Sequence, residues 1–255
     1  MPSASTSHSD STIDAADVAR FTAIAAEWWD ERGKFAPLHR LNPARICAIR
    51  DHIFQHFHAA ATSHGQSATP LQNLSLLDVG CGGGLIAEPM CRLGATVTGI
   101  DAGAQNIAVA ALHAKSAGLA IDYRETTAEA LANQNAQFDV VLALEIIEHV
   151  ANPALFYDAL VALVKPGGVL ILSTLNRTVK SYAMAIIGAE YILRWLPRGT
   201  HDWKKFIKPS EMADMLTRRG LKVTDVMGIV YRPLTREFAI DRHDLDVNYL
   251  LFSCK

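Results

Sequence analysis

A chain of 255 residues, 50% hydrophobic and 20% charged, is long enough to bury one sizeable core without disulfide or metal staples. Its 24 Lys and Arg against 26 Asp and Glu leave a formal charge of -2, which excludes a general electrostatic pull towards nucleic acid. The four cysteines, Cys47, Cys81, Cys91 and Cys254, form no C-x-x-C pair, which argues against a disulfide framework or zinc knuckle and for a reducing, cytoplasmic setting.

Residues 1–17 are rich in Ser and Thr, carry Asp10, Asp14 and Asp17, lack the apolar core of a signal peptide, and read as a disordered tail. Residues 18–57 have a helical pattern, with Phe21, Ile24, Ala25 and Trp28 at i, i+3, i+4 and i+7 and a break at 33–37. Trp28 and Trp29 read first as core packing of this lead-in and second as an aromatic wall of a pocket. Residues 59–73 are small and polar with Gly65 and Pro70, so a helical extension and linker cover 18–73 and the core domain covers 74–255.

From there strands and helices alternate. LSLLDVG precedes a helix over 85–93, TVTGID one over 104–117, IDYRET a short one over 128–132, FDVVLAL one over 153–163, and GVLILST one over 209–219. KVTDVMGIVY and VNYLLFSC close the series, and the short polar loop between them predicts an antiparallel last pair. Continuous apolar runs in the central strands imply an α/β fold, a Rossmann-like, doubly wound, mostly parallel sheet with helices on both faces. Asp139, at the start of FDVVLAL, is expected to order a neighbouring turn.

The run LLDVGCGGG ends an apolar strand and opens a helix, and its glycines, Gly80 and Gly82 foremost, let the backbone turn and approach a ligand without Cβ clashes. The sixth position counted from Gly80 is Leu85 rather than the glycine of a dinucleotide fingerprint, which points away from a nicotinamide oxidoreductase. Asp78 places a carboxylate in the strand itself, where it can order backbone or bind an ammonium group. Asp101, about twenty residues after the loop, is positioned to accept the ribose hydroxyls of an adenosine, and it can also cap the helix that follows.

With GID, FDVVLALEIIEHV and LVKPGGVLILSTLN downstream, the chain resembles the class I S-adenosylmethionine methyltransferases over 74–255. EWWD, FAPLHRLNPAR, STLNRTVKS, GAEYILR, GTHDWKKFIKP and DVNYLLF extend the similarity, from residue 18 to the end, to the family of ubiquinone-biosynthesis O-methyltransferases. That resemblance implies S-adenosylmethionine as cofactor, with contacts at Arg45, Gly80, Asp101 and Leu144. It also implies methylation of phenolic oxygens in a 2-polyprenyl-6-hydroxyphenol and in 3-demethylubiquinol. A guanidinium at Arg45 suits the methionyl carboxylate on chemical grounds as well.

After Leu144 comes Glu145-Ile146-Ile147-Glu148-His149, and as a helical turn this would bring two carboxylates and an imidazole to one side. A phenol of pKa ~10 must lose its proton to become a good nucleophile at neutral pH. Either His149 is the general base, or Glu145, Glu148 and His149 hold a divalent cation that stabilises the phenolate. A histidine in the set weakens a pure magnesium reading and leaves manganese or zinc open, whereas the resemblance favours Mg2+. A third reading has the two glutamates complementing a helix N-terminus and His149 packing beneath the loop.

The insertion at 176–208 contains YAMAIIGAEYILRWL, apolar nearly all round a helix, with Met184, Ile187, Tyr191 and Trp195 on one side and Ile186 and Leu193 opposing them. With Glu190 and Arg194 it is too short and too charged to span the ~20 apolar residues of a bilayer crossing. Arg177, Lys180, Arg198, Lys204, Lys205 and Lys208, with Trp203, suit an anionic interface, so the insertion reads as a lid or as a peripheral membrane contact. His201 and Asp202 read as an ordered turn. The partners expected are thus a polyprenylated phenol or quinol, anionic lipid on the inner face of the cytoplasmic membrane and other ubiquinone-biosynthesis proteins, with no nucleic acid. Methylation of another small phenol, and a cofactor-binding scaffold without turnover, are the alternatives; a scaffold has no use for the acidic cluster.

Overall fold

The computed structural model describes residues 11–58, 68–183, 202–235 and 237–255. Helix α1 (Ala15–Ala23), a 3-10 turn (Ala25–Glu27) and the long helix α2 (Ala36–Phe57) form the lead-in. The core runs β1 (Ser75–Val79), α3 (Ala87–Arg92), β2 (Thr96–Asp101), α4 (Ala104–Ser116), β3 (Asp122–Glu125), α5 (Ala128–Ala132) and β4 (Phe138–Leu144). It continues with a 3-10 turn (Ile147–His149), α6 (Pro153–Leu163), β5 (Val164–Leu175), the single turn α7 (Val179–Ser181) and α8 (Pro209–Thr217), and closes with β6 (Lys222–Arg232), β7 (Glu237–Asp241) and β8 (Asn248–Cys254).

One sheet holds the strands in the order β3-β2-β1-β4-β5-β8-β6-β7. Strands β1 to β5 pair in parallel, and β8 lies antiparallel to both β5 and β6. The doubly wound α/β expectation is met, including the antiparallel last strand. The closing segment is more elaborate than the expected pair, because β7 (EFAID) lies between β6 and β8 in sequence and pairs with β6 at the sheet edge. Its half-buried, partly charged pattern lacks the apolar run that marks the central strands.

Alternation along the central strands explains their continuous apolar runs. Leu77, Val79, Val141, Ala143, Leu170 and Leu172 belong to the core under α5, α6 and α8. Leu76, Val140, Leu142, Leu144, Val169 and Ile171 belong to the core on the α2 and α3 side. Asp78 shares the parity of Leu76, so a carboxylate is delivered to the α2 side of the sheet. Asp139 accepts from the backbone N–H and hydroxyl of Ser75 and from Lys165, tying together the starts of β1, β4 and β5 where the ordering of a neighbouring turn was expected.

The tail needs correction. Residues 11–17 are docked: Asp14 caps α1, Thr12 and Asp17 are buried, and the Thr12 hydroxyl reaches both carboxylate oxygens of Glu129 at 2.7 and 2.8 Å. Composition counted these residues with the polar stretch before them, whereas partners far along the chain hold them. In the expected linker, Leu71 is fully buried and donates its N–H to the Leu93 carbonyl, so this residue is anchored on the core while its neighbours stay at the surface; residues 59–67 lie outside the described residues.

Candidate active site

Strand order reverses between β1 and β4, and the crevice beyond their carboxyl ends is where ligands of open α/β sheets lie. A single cavity there is lined by all nine residues singled out from the sequence: Arg45, Asp78, Gly80, Gly82, Asp101, Leu144, Glu145, Glu148 and His149. Helix α1 and the 3-10 turn after it form the opposite wall, through Val18, Phe21 and Trp28.

The floor is the turn after β1. Gly80 and Gly82 have φ of +72° and +52°, and a Cβ at Gly80 would stand 2.3 Å from Ile146 Cδ1. One at Gly82 would stand 2.4 Å from the Trp28 ring. Both conformation and space therefore require glycine. Trp28 stacks on Phe35 with centroids 3.7 Å apart and donates its indole N–H to Asn106 at 2.9 Å, while the Trp29 indole donates to the Gly83 carbonyl. The expected roles of Trp28 as core and as cavity wall both hold. Asp101 accepts from the Gly82 and Gly103 backbone N–H groups at 3.0 and 2.7 Å and from Asn106 Nδ2 at 3.0 Å, so its carboxylate is aimed by the glycine loop itself.

Asp78 is buried, and its Oδ2 has no hydrogen-bond partner in the fold. Burial, reinforced by the charge of Asp101 and opposed by that of Arg45, pushes its carboxyl up to about 7. Arg45, also buried, gives Nη2 to Glu145 at 2.8 Å and keeps an unpartnered Nε. Burial lowers its pKa, and the charges of Glu145, Glu148 and Asp78 oppose that. An unpaired carboxyl oxygen and an unpaired guanidinium N–H, both buried in one crevice, fit a zwitterionic ligand head.

The acidic cluster departs from expectation. Glu145 has φ of +54°, so the chain does not enter a helical turn there; only Ile147–His149 does, as a 3-10 turn. Glu145 Oε1 accepts from Arg45, from the Ser173 hydroxyl at 2.7 Å and from Asn248 Nδ2 at 2.9 Å. Glu148 Oε2 accepts from the Thr174 hydroxyl at 2.8 Å, whereas Oε1 has no partner. His149 Nδ1 lies 3.0 Å from Asp17. The three side chains thus serve three different neighbours instead of converging. Among the described residues no group of three or more His, Cys, Asp or Glu is placed to hold a metal ion with the side chains as they stand.

Burial and the neighbouring Glu145 charge push the Glu148 carboxyl up to about 7. Burial disfavours the His149 imidazolium, but the bond to Asp17 and the charges of Glu148 and Asp17 outweigh it and raise its pKa. For Glu148 the folded state holds a proton where the unfolded chain has lost it. Its contribution to stability is therefore full below the ordinary value of 4.5 and is lost as pH rises through about 7. Glu148→Gln, which removes the titration and keeps the shape, is expected to stabilise the ligand-free protein relative to wild type at pH 8 by ~2–3 kcal/mol, and to do little at pH 4. Thermal melts of both proteins across that range check this; equal melting temperatures at pH 8 would remove the buried charge from the account.

Asn106, Asn248, Ser173, Thr174 and Asp17 were not anticipated. Asn106 lies in the first turn of α4, just after the end of β2 at Asp101, a closeness in sequence that offered a signal; Asp17 offered none, since it meets His149 only through the tertiary fold. Asp202 accepts from the Lys204 N–H and starts the 3-10 turn Trp203–Lys205, as the turn reading requires. His201 and 184–200, and with them the apolar core of the insertion, lie outside the described residues. Of its basic flanks, Arg177 pairs with Glu211, Lys180 with Asp244 and Asp246, and Lys205 with Asp14. Among the described residues no helix is long and apolar enough to cross a membrane.

Comparison with known proteins agrees with this geometry. Residues 39–226 match the family model described as a methyltransferase domain. The ubiquinone biosynthesis O-methyltransferase of Cereibacter sphaeroides (strain KD131 / KCTC 12085) is 53% identical over 97% of this chain and 98% of its own length. The protein of the same name from Dinoroseobacter shibae is 51% identical over 96% and 97%. Among solved structures, the S-adenosylhomocysteine-bound magnesium protoporphyrin IX methyltransferase of Synechocystis PCC 6803 superposes with a TM-score of 0.60 at 16% identity, covering 93% of this chain and 98% of that one, a likeness of fold. With half of its residues shared along nearly its whole length, the chain belongs to the ubiquinone-biosynthesis O-methyltransferases, a family of S-adenosylmethionine-dependent enzymes.

Proposed function

We propose that this enzyme methylates the phenolic hydroxyl of polyprenylated benzenoid intermediates, a 2-polyprenyl-6-hydroxyphenol and 3-demethylubiquinol, with His149 as the general base. The observation that carries this reading is the placement of His149 on the wall of the cavity whose floor is the Gly80–Gly82 turn with Asp101.

S-adenosylmethionine, when bound, supplies an electrophilic methyl group on a sulfonium. Gly80 and Gly82 give the backbone room for it, Asp101 accepts from the ribose hydroxyls, and Asp78 and Arg45 face the ammonium and carboxylate of its amino-acid end. Leu144 packs on it at the strand terminus. His149 takes the phenolic proton, and Glu148 sets the charge beside that imidazole. Glu145 has a positioning role: it fixes Arg45 and joins α2 to β5 and β8. The apolar wall formed by Val18, Phe21, Phe35, Leu38 and Phe156 suits an aromatic ring bearing a prenyl chain and keeps water from the reacting atoms.

A divalent cation such as Mg2+ is the second reading of the cluster, supported by the unpartnered Glu148 Oε1. The residues as placed do not form a ligand set, because Glu145 Oε1 is held by Arg45, Ser173 and Asn248 while Glu148 is held by Thr174 and His149 by Asp17, so the three side chains would have to turn towards a common point. The lipid-borne acceptor also supports peripheral contact with the inner face of the cytoplasmic membrane and with other ubiquinone-biosynthesis proteins, the insertion at 176–208 being the surface proposed for it.

Titration calorimetry with S-adenosylhomocysteine, followed by methyl transfer to a short-chain demethylubiquinol with and without a chelator, tests the proposal. Binding with chelator-insensitive transfer is expected. Loss of transfer on chelation, restored by Mg2+, would favour the second reading. Binding with no transfer to any phenol would remove the proposed substrate class.

A further inference from the structure

Asp78 brings a carboxyl group into the middle of an otherwise apolar stretch of β1. Its side chain is 3% exposed, lines the cavity and leaves Oδ2 without a hydrogen-bond partner. The Ala87 backbone N–H at the start of α3 also bonds to this carboxyl, and since Oδ2 has no partner that bond falls on Oδ1. The oxygen left for a ligand is therefore Oδ2.

The elements packed round Asp78 do not supply it with a counterion of its own. Asp101, at the end of β2, opposes its charge, and Arg45 from α2 favours it. That guanidinium is already shared, since Nη2 goes to Glu145 at 2.8 Å and the charges of Glu145 and Glu148 act on it as well. Cys81 in the glycine turn and Tyr123 on β3 are both kept neutral by burial, and Leu142, the register partner on β4, is apolar. A buried carboxylate without its own counterion is costly, so the ligand-free protein keeps a proton on Asp78 up to about pH 7. With Oδ1 accepting from Ala87, that proton sits on Oδ2. An ammonium group has three donors and no acceptor, so it would meet the protonated oxygen donor to donor.

We propose that cofactor binding is a proton exchange at Asp78: the O–H bond at Oδ2 breaks, the proton leaves to solvent, and the ammonium group of the cofactor takes its place. This rests on the reading in which the amino-acid end of the cofactor meets Asp78 and Arg45. The ionised form is the binding form, so affinity is full above the ligand-free value of this carboxyl and is lost as pH falls through it.

Calorimetry in two buffers of different ionisation enthalpy counts the protons exchanged. S-adenosylhomocysteine, which has the amino-acid end, is compared with 5′-methylthioadenosine, which lacks it, on wild type and Asp78→Asn. With wild type, S-adenosylhomocysteine is expected to release ~1 proton at pH 6 and ~0.1 at pH 8, and to bind ~10-fold more tightly at pH 8. 5′-Methylthioadenosine should release none and bind equally at both. Asp78→Asn should lose the release and bind S-adenosylhomocysteine with a flat pH profile, weaker than wild type at pH 8. Glu148 titrates in the same range but is intact in the variant, so any proton it gives up would persist there. Unchanged binding of 5′-methylthioadenosine certifies that the variant is folded, and the two ligands on wild type decide the question without it. Equal S-adenosylhomocysteine affinity at pH 6 and 8 with no proton released, or undiminished release from Asp78→Asn, would overturn the exchange and leave the placement of the amino-acid end intact. The same release and pH profile for both ligands would overturn that placement as well.

Discussion

His149→Ala is expected to lower kcat for methyl transfer to an ordinary phenol by ~10²–10⁴-fold, while the affinity for S-adenosylhomocysteine stays within ~2-fold of wild type. The split follows from the layout of the cavity. His149 sits on the 3-10 turn after β4 and touches α1 through Asp17 and Phe21, whereas the proposed cofactor residues lie elsewhere, Gly80 and Gly82 in the turn after β1 and Asp101 at the end of β2. Only the proposed proton acceptor is removed. Truncation also frees Asp17 from one partner, but Arg20 still holds it, so the cost to stability is modest. Single-turnover kinetics beside calorimetry measures both quantities. A variant within ~3-fold of wild-type kcat would mean that His149 is not the base; a matching loss of cofactor affinity would mean that it acts through the fold.

Asp101→Ala is expected to show the opposite pattern, a loss of ~100-fold or more in affinity for S-adenosylhomocysteine. The carboxylate has two jobs. It faces the ligand crevice, and it also collects the N–H groups of Gly82 and Gly103 and the amide of Asn106, whose oxygen in turn receives the Trp28 indole. Without it three donors lose their acceptor, at ~1–3 kcal/mol for each that stays buried, and the loop and the aromatic wall lose a common anchor. Asp101→Asn should recover little, since an amide turns one acceptor into a donor facing other donors. Calorimetry on both variants decides this; binding within ~5-fold of wild type would move the ribose contact to another residue.

Sequence and structure agree best where chemistry is local. The glycine turn, Asp78 and Asp101 were legible because strand, turn and helix are contiguous and the backbone demand is met by glycine alone. The boundaries of α5 and α6 were legible because their N-caps, Thr127 and Asn152, precede clear apolar faces. Glu145, Glu148 and His149 all line the cavity, but their mutual geometry was not legible. A left-handed residue at Glu145 breaks the i, i+3, i+4 relation, and nothing in the run EIIEH announces it. Strand β7 escaped because an edge strand buries little. The N-terminal contact at Asp17 escaped because a Ser- and Asp-rich composition carries no record of Glu129, Ala151 and His149, the partners that hold it.

Those partners lie far down the chain: 117 residues separate Thr12 from Glu129, and 132 separate Asp17 from His149. During synthesis the segment that walls the cavity is made before its partners, and it has nothing to dock on until β4 and the turn after it have been made. Lys205, which pairs with Asp14, comes later still. One wall of the cavity is thus closed by contacts that span more than a hundred residues, which must wait for chain made far downstream of it.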